Sequence, residues 1–193
     1  RVPILASTRF DWILADLGIV CSGGATSTIY PSSTADDAAY ILKDSNSVVA
    51  FAENDEQIRK LQAKRAELPG LKAVVTFDGT PSSDGWVLTL AQLEERGRAH
   101  FTGPDGEAAF EALCRSVRKD MLATLIYTSG TTGRPKGVEL IHDCWVYEAE
   151  AIDALGILTP RDVQYLWLPL AHSMGKVLQV AQLRIGFKTA VDG

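Results

Sequence analysis

Apolar positions along this chain fall into short blocks that alternate between two patterns. Residues 2–6 form a continuous apolar run, which predicts a buried strand. Phe10, Ile13, Leu14, Leu17, Val20 and Cys21 then recur at helical spacing, and Gly23-Gly24 closes that helix. A β-branched stretch at 26–30 predicts a second strand, stopped by Pro31. Ser33 or Thr34 can cap the next helix. Asp36 and Asp37 lie in its first turn, where acids suit the helix dipole, and Ala38, Ile41 and Leu42 mark its apolar face.

The alternation continues. Strands are predicted at 48–52 and 71–77, separated by a charged helix at 54–67 that Pro69-Gly70 closes. A polar, turn-rich loop covers 78–84. Helices follow at 89–98 and 105–119, split by Gly103-Pro104, their charges read as solvated faces. Leu122–Thr128 predicts a fifth strand. Ile141, Trp145, Ala149, Ile152 and Leu155 mark a long helix, followed by a strand at 163–168, a helix at Ser173–Ile185 and a last strand at Lys188–Val191. Strands that are apolar throughout, alternating with helices, predict an α/β fold: a parallel sheet with helices on both faces. In such sheets ligands bind outside the carboxyl ends of the strands.

Composition narrows the picture little. With 193 residues, 46% hydrophobic and 22% charged, the chain can bury a true core and reads as an ordinary globular protein. A net charge of −5 argues against general affinity for nucleic acid or anionic membrane. No apolar run approaches the roughly 20 residues of a membrane span, and no signal peptide is visible. Cys21, Cys114 and Cys144 have neither metal-ligand nor disulfide spacing, so each is expected to be a small buried hydrophobe in a reducing, cytoplasmic setting. Both ends of the chain adjoin strand-like segments, and we expect them to be cuts through a longer protein.

The candidate chemistry lies just after the fifth strand, in "YTSGTTGRPKGV" at 127–138. Glycines let a backbone turn tightly and approach a ligand. Successive backbone N–H groups form an anion-binding concavity. Hydroxyls on Tyr127, Thr128, Ser129, Thr131 and Thr132 add donors, and Lys136 adds a positive charge, a combination suited to a polyphosphate. The alternative is an ordinary polar surface loop. A Walker loop would need GxxxxGK[ST] opening a helix. Here Pro135 precedes the lysine, and a flap-like hairpin or turn is expected instead of a helix start.

This stretch closely resembles the phosphate-binding signature of the adenylate-forming enzymes. "LPLAH" at 168–172 matches the next motif of that superfamily. The front of the chain, "ILASTRFDWILADLGIVCSGGATSTIYPSSTADDAAYIL", resembles bacterial long-chain fatty-acyl-CoA synthetases, and the likeness is weakest between Asp78 and Arg118. The resemblance implies a flavodoxin-like subdomain, with residues 1–193 forming part of a large N-terminal AMP-binding domain. It further implies a parent enzyme that joins a fatty acid to ATP as acyl-AMP and transfers the acyl group to CoA, with Mg²⁺ as the metal. The implied partners are these small molecules and the rest of the parent chain.

Residue by residue, the resemblance implies that Ser129, Gly130, Thr131, Thr132 and Gly133 wrap the β- and γ-phosphates. Lys136 is then a supporting cation near the loop's base, or alternatively a solvated lysine that staples the hairpin. Thr128 matches a position that helps hold Mg²⁺, or is simply a strand-end threonine. Tyr127 is assigned to packing. His172 matches a histidine near the acyl and adenylate site, with a structural role at a helix start as the alternative. His142 falls where the family often has Thr-His-x-Asn. Ile141 and Cys144 replace the Thr and Asn here, which favours a structural role. Ser173-Met174-Gly175-Lys176 departs from the usual continuation after the histidine, in a region that lines the acyl channel of relatives.

A Tyr-Gly-x-Thr-Glu motif, a ribose-binding Asp and a catalytic Lys on a C-terminal domain complete the family's machinery, and none is found in these residues. Alternatives to the fatty-acyl ligase are an aryl- or amino-acid-adenylating ligase, a non-catalytic ATP- or phosphate-binding module and a structural interaction domain.

Overall fold

A computed structural model describes residues 1–128 and 134–192. The first half follows the predicted alternation: β1 (Val2–Leu5), α1 (Phe10–Cys21), β2 (Thr26–Ile29), α2 (Ala35–Asp44), β3 (Val49–Ala52), α3 (Asp55–Ala63) and β4 (Ala73–Thr76). The second half contains β5 (Val87–Thr89), α4 (Leu90–His100), α5 (Gly103–Arg115), β6 (Leu122–Thr128), β7 (Lys136–Ile141), α6 (His142–Ala154), β8 (Val163–Leu166), α7 (Ser173–Ile185) and β9 (Lys188–Val191).

Seven strands form one sheet in the order β5-β4-β3-β1-β2-β6-β7. Neighbouring residues on the strands face opposite layers. Leu5, Ala50, Ala52 and Val74 pack with Ile41 and Leu42 of α2 and Ile58 and Leu61 of α3. Ile4, Phe51 and Val75 pack with Trp12 and Ile19 of α1 and with Leu90, Leu93 and Leu178 of α4 and α7. Strands covered on both sides need no polar alternation, which accounts for the largely apolar runs of β1, β3 and β4.

The caps agree with the sequence. Thr34 caps α2 in a reciprocal capping box with Asp37. Pro104 sits inside the first turn of α5, where its missing N–H costs no helical hydrogen bond, so that helix starts at Gly103 and not at 105.

The sheet is parallel as expected, with one correction at its edge, where β7 pairs antiparallel with β6. A second correction concerns β8 and β9, which pair parallel with each other in a separate two-stranded sheet. β5 was not legible in the sequence because its three residues are too few to display a period, and Thr89 also caps α4. The charged helix expected at 54–67 ends at Ala63 and continues only as a short 3₁₀ turn, Arg65–Glu67.

The cysteines also differ from expectation. Cys21 and Cys144 are exposed and Cys114 is half-buried, because their helices turn these positions away from the sheet. No helix among the described residues is long and apolar enough to cross a membrane.

One polar cluster lies deep in the fold. Asp16 of α1 and Lys176 of α7 are 1% and 3% exposed, and their charged groups meet at 2.6 Å. The same carboxylate accepts from Thr26 Oγ1 at 2.7 Å and Gln179 Nε2 at 2.9 Å. Lys176 Nζ also lies 5.5 and 5.4 Å from the ring centres of Trp12 and Trp145. A buried charge is tolerable only when paired and hydrogen-bonded, and this one is both. The cluster ties α7 to α1 and to β2.

Lys176→Met leaves the Asp16 carboxylate buried without its cation and is expected to lower unfolding stability by about 3 kcal/mol or more. The double change Asp16→Leu/Lys176→Met is expected to recover most of that loss, since an apolar pair needs no desolvation of charge. Urea denaturation followed by tryptophan fluorescence measures both. A single variant within about 0.5 kcal/mol of the unmodified chain would contradict this account.

Candidate nucleotide site

β6 runs parallel to β2, with Thr26 opposite Thr124 and Thr28 opposite Ile126. Their carboxyl ends open into a cleft of about 510 Å³. Thr28, Tyr30 and Ser33 form one side of it, Tyr127, Thr128 and Pro135 a second, and His172 and Ser173 a third. The expected position of a ligand site in a parallel sheet is therefore where the hydroxyl-rich motif leaves β6.

The hairpin expectation holds for its described limbs. Thr128 pairs across the ladder with Lys136, and Tyr127 with Gly137. Ser129, Gly130, Thr131, Thr132 and Gly133, the residues expected to wrap phosphate, lie outside the described residues. Thr128 is exposed at the cleft rim, and Lys136 is exposed at the first position of β7. The walls of the cleft carry hydroxyls and one carboxylate, Asp37, but neither Lys nor Arg among the described residues. Lys136 is thus a cation at the base of the hairpin, outside the cleft lining.

Tyr127 packs against the core below α2, as expected, and its hydroxyl donates to Asp44 Oδ2 at 2.7 Å. Burial and then the neighbouring carboxylate hold its phenol well above the ordinary pKa. Gly137 makes this contact possible. A Cβ there would stand 3.0 Å from Tyr127 Cζ and 3.2 Å from its hydroxyl oxygen, so the ring would have to shift.

His172 serves the structural role offered as its alternative. It is the N-cap of α7, and its Nδ1 accepts from the Met174 backbone N–H at 3.2 Å. With Nδ1 an acceptor, the neutral ring carries its proton on Nε2. His172 also lines two clefts at once, the one described above and a second of about 800 Å³ bounded by Leu140, Trp145, Tyr147, Met174 and Val177. The structure thus brings Thr128 and His172 to one cleft, with a mainly apolar cavity opening on the far side of the histidine. Gly175 lets α7 sit this close, because a Cβ there would collide with the Pro169 carbonyl.

His142 begins α6 and lines a third cavity of about 340 Å³, between α1, α6 and α7, beside Lys176, Gln179 and Trp145. Its Nε2 is buried without a hydrogen-bond partner among the described residues. Burial, and secondarily the Lys176 charge, depress its pKa and keep it neutral.

Sequence reasoning missed Asp16, Lys176, Tyr40 and Trp145 as organising residues. Asp16 did leave a signal, as a lone acid in the middle of the apolar helix FDWILADLGIVC. The indole of Trp145 donates to Thr124 Oγ1 at 3.0 Å, joining α6 to β6.

The comparisons agree with the architecture and the motif. The chain belongs to the AMP-binding enzyme family, whose model matches residues 1–191. The long-chain-fatty-acid–CoA ligase FadD15 of Mycobacterium bovis is 32% identical to it, over 99% of this chain and 31% of that protein's length. The crystal structure of a long-chain-fatty-acid-CoA ligase (FadD1) from Archaeoglobus fulgidus superposes with a TM-score of 0.73 and 18% identity, over 98% of this chain and 34% of that one. A luciferase-like enzyme from the mealworm Zophobas morio superposes with a TM-score of 0.77 and 15% identity, over 97% of this chain and 40% of that one. At these identities the two superpositions establish the fold alone. The chain spans about a third of the length of FadD15.

The depressed pKa of His142 has a consequence for stability. As pH falls below the ordinary histidine value of 6.5, the unfolded chain takes up the proton before the folded one does. Stability is therefore expected to drop as pH falls through that region, and His142→Gln to flatten this part of the profile. Melting temperatures of both proteins between about pH 7.5 and about pH 5.5 provide the check, and parallel profiles would contradict it.

Proposed function

We propose that this chain supplies the phosphate-binding part of an ATP-dependent fatty-acyl-CoA synthetase. One observation carries the reading: the described limbs of the motif YTSGTTGRPKGV, at the end of β6 and at Pro135, border a cleft that Thr128 shares with His172. The identity to FadD15 supports a fatty acid as the substrate class. In this reading residues 1–193 are part of a large N-terminal AMP-binding domain.

Each residue then has a defined task. Ser129, Gly130, Thr131, Thr132 and Gly133 wrap the β- and γ-phosphates of ATP. Glycines permit close backbone approach, and N–H and O–H donors meet the charge. Lys136 adds a point charge at the hairpin base. His172 sits between the nucleotide cleft and the apolar cavity, where an Nε2–H can orient the acyl carboxylate.

The described residues contain no group of His, Cys, Asp or Glu suited to hold a metal ion. Thr128, exposed at the cleft rim, would offer its hydroxyl oxygen to a Mg²⁺ bound with the nucleotide. Bound there, the ion would supply charge neutralisation for the departing pyrophosphate. The chain's own residues position the phosphates and stabilise the charge that develops on them, which is most of what an enzyme contributes to phosphorus transfer. The acyl group then passes from AMP to the thiol of CoA.

Purified chain is expected to bind ATP and pyrophosphate weakly and to form no acyl-adenylate, because the acidic, ribose-binding and lysine motifs of the reaction are not among its residues. Calorimetric titration with and without Mg²⁺ reads the first part. A fatty-acid-dependent pyrophosphate-release assay reads the second. Thr128→Ala is expected to reduce the Mg²⁺-dependent gain in affinity by about threefold or more, the equivalent of one lost ligand or hydrogen bond. Absence of any nucleotide or pyrophosphate binding would refute the reading.

A further inference from the structure

The two limbs of the β6–β7 hairpin are both held by one helix that the proposed reaction leaves unused. Tyr40 and Asp44 stand four residues apart on α2 and so lie on one face of it. The Asp44 carboxylate accepts from the Tyr127 hydroxyl at 2.7 Å, on the limb that enters the motif. The Tyr40 hydroxyl donates to the Pro135 carbonyl at 3.1 Å, on the limb that leaves it. The Arg134 guanidinium lies 5.4 Å from the Tyr40 ring centre, adding a cation–π contact to the second limb.

Neither side chain is explained by α2 itself. Asp44 is the last residue of the helix, where the dipole disfavours an acid, and Tyr40 carries a polar group into the partly buried margin of the core. Residues that break local rules in this way mark positions kept for another purpose.

We infer that Tyr40 and Asp44 are positioning residues for the phosphate loop: by gripping residues 127 and 135 they dock the hairpin, in which the ladder already pairs Thr128 with Lys136, against α2 at the edge of the cleft. This inference rests on the proposed phosphate-binding role of the motif. Effective ligand contacts demand placement within a fraction of an ångström, and a loop held at both feet loses less freedom on binding than one held at a single foot. The hydrogen bond from Tyr40 is the only side-chain hydrogen bond to Pro135 among the described residues.

The test uses the chain as it is, with inorganic pyrophosphate as the probe. Tyr40→Phe keeps the ring, its packing and the Arg134 contact, and removes only the hydroxyl. It is expected to weaken pyrophosphate binding about three- to tenfold, the equivalent of one hydrogen bond, and to speed hydrogen exchange of the amides at 136–138. Asn54→Ala is the control. It removes the side chain that caps the neighbouring helix α3, accepting from the Glu56 and Gln57 backbone N–H groups at 3.0 and 3.3 Å, and it touches neither limb of the hairpin. It should lower the melting temperature while leaving both readouts unchanged.

Equal weakening by the two variants would assign Tyr40 a merely structural role and overturn the inference. So would unchanged binding in Tyr40→Phe when the unmodified chain binds. If the unmodified chain binds no pyrophosphate, the phosphate-loop reading itself fails and the positioning role falls with it.

Discussion

The site depends on the pairing of β6, which is hydrogen-bonded in parallel to β2 on one side and antiparallel to β7 on the other. A parallel neighbour fixes the carboxyl end of β6 at the same edge of the sheet as that of β2. An antiparallel neighbour requires the chain to turn back at that edge within a few residues. The two described limbs that flank residues 129–133 are thereby held beside the cleft that the parallel strands create. Without the turn the motif would lead into a crossover helix, as a Walker loop does. Pro135 and the ladder from Thr128 to Lys136 enforce the other outcome.

Around this strand the polar contacts have a consistent logic. Tyr127 and Tyr40 connect the hairpin to α2. Trp145 connects α6 to β6 through Thr124. Thr28 Oγ1 donates to the Ala171 carbonyl at 2.9 Å, joining β2 to the segment that presents His172. Thr8 Oγ1 donates to the Leu168 carbonyl and accepts from the Leu170 N–H, holding the start of the same segment. The Asp16–Lys176 pair then secures α7 one turn beyond its histidine cap. Each bond is short in space and long in sequence, so the geometry of the cleft depends on the whole fold. Neither the motif nor the histidine could adopt this arrangement by local preference alone.

Much of this was legible in the sequence, for identifiable reasons. Strands covered on both faces leave largely apolar runs, so β1, β3, β4 and β6 were found, β6 with its full span, and β2 was marked by its β-branched residues. Helices with strong caps or a glycine terminator were also clear, as with Thr34 for α2 and Gly23, in the left-handed region, after α1. The three-residue β5 was too short to carry a pattern. β7 was hidden because its residues, KGVELI, are mostly exposed and lie between a loop signal and a helical one. The separate β8–β9 sheet could not be foreseen, since apolar periodicity identifies strands but not their partners. Lys176 was equally hidden, because a buried lysine and a solvated one are identical in sequence, and only the meeting of α1 with α7 separates them. The three cysteines were misjudged by applying an average tendency to positions that their helices turn outward.

The phosphate-cradle role proposed for the hairpin between β6 and β7 is open to an amide-resolved NMR titration of the chain with Mg·ATP. Saturable shifts are expected at Thr128, at residues 134, 136 and 137 and at the start of α7 around His172, with the β8–β9 sheet unaffected. Shifts confined to the cavity between α1, α6 and α7, or no saturable shifts at all, would contradict it.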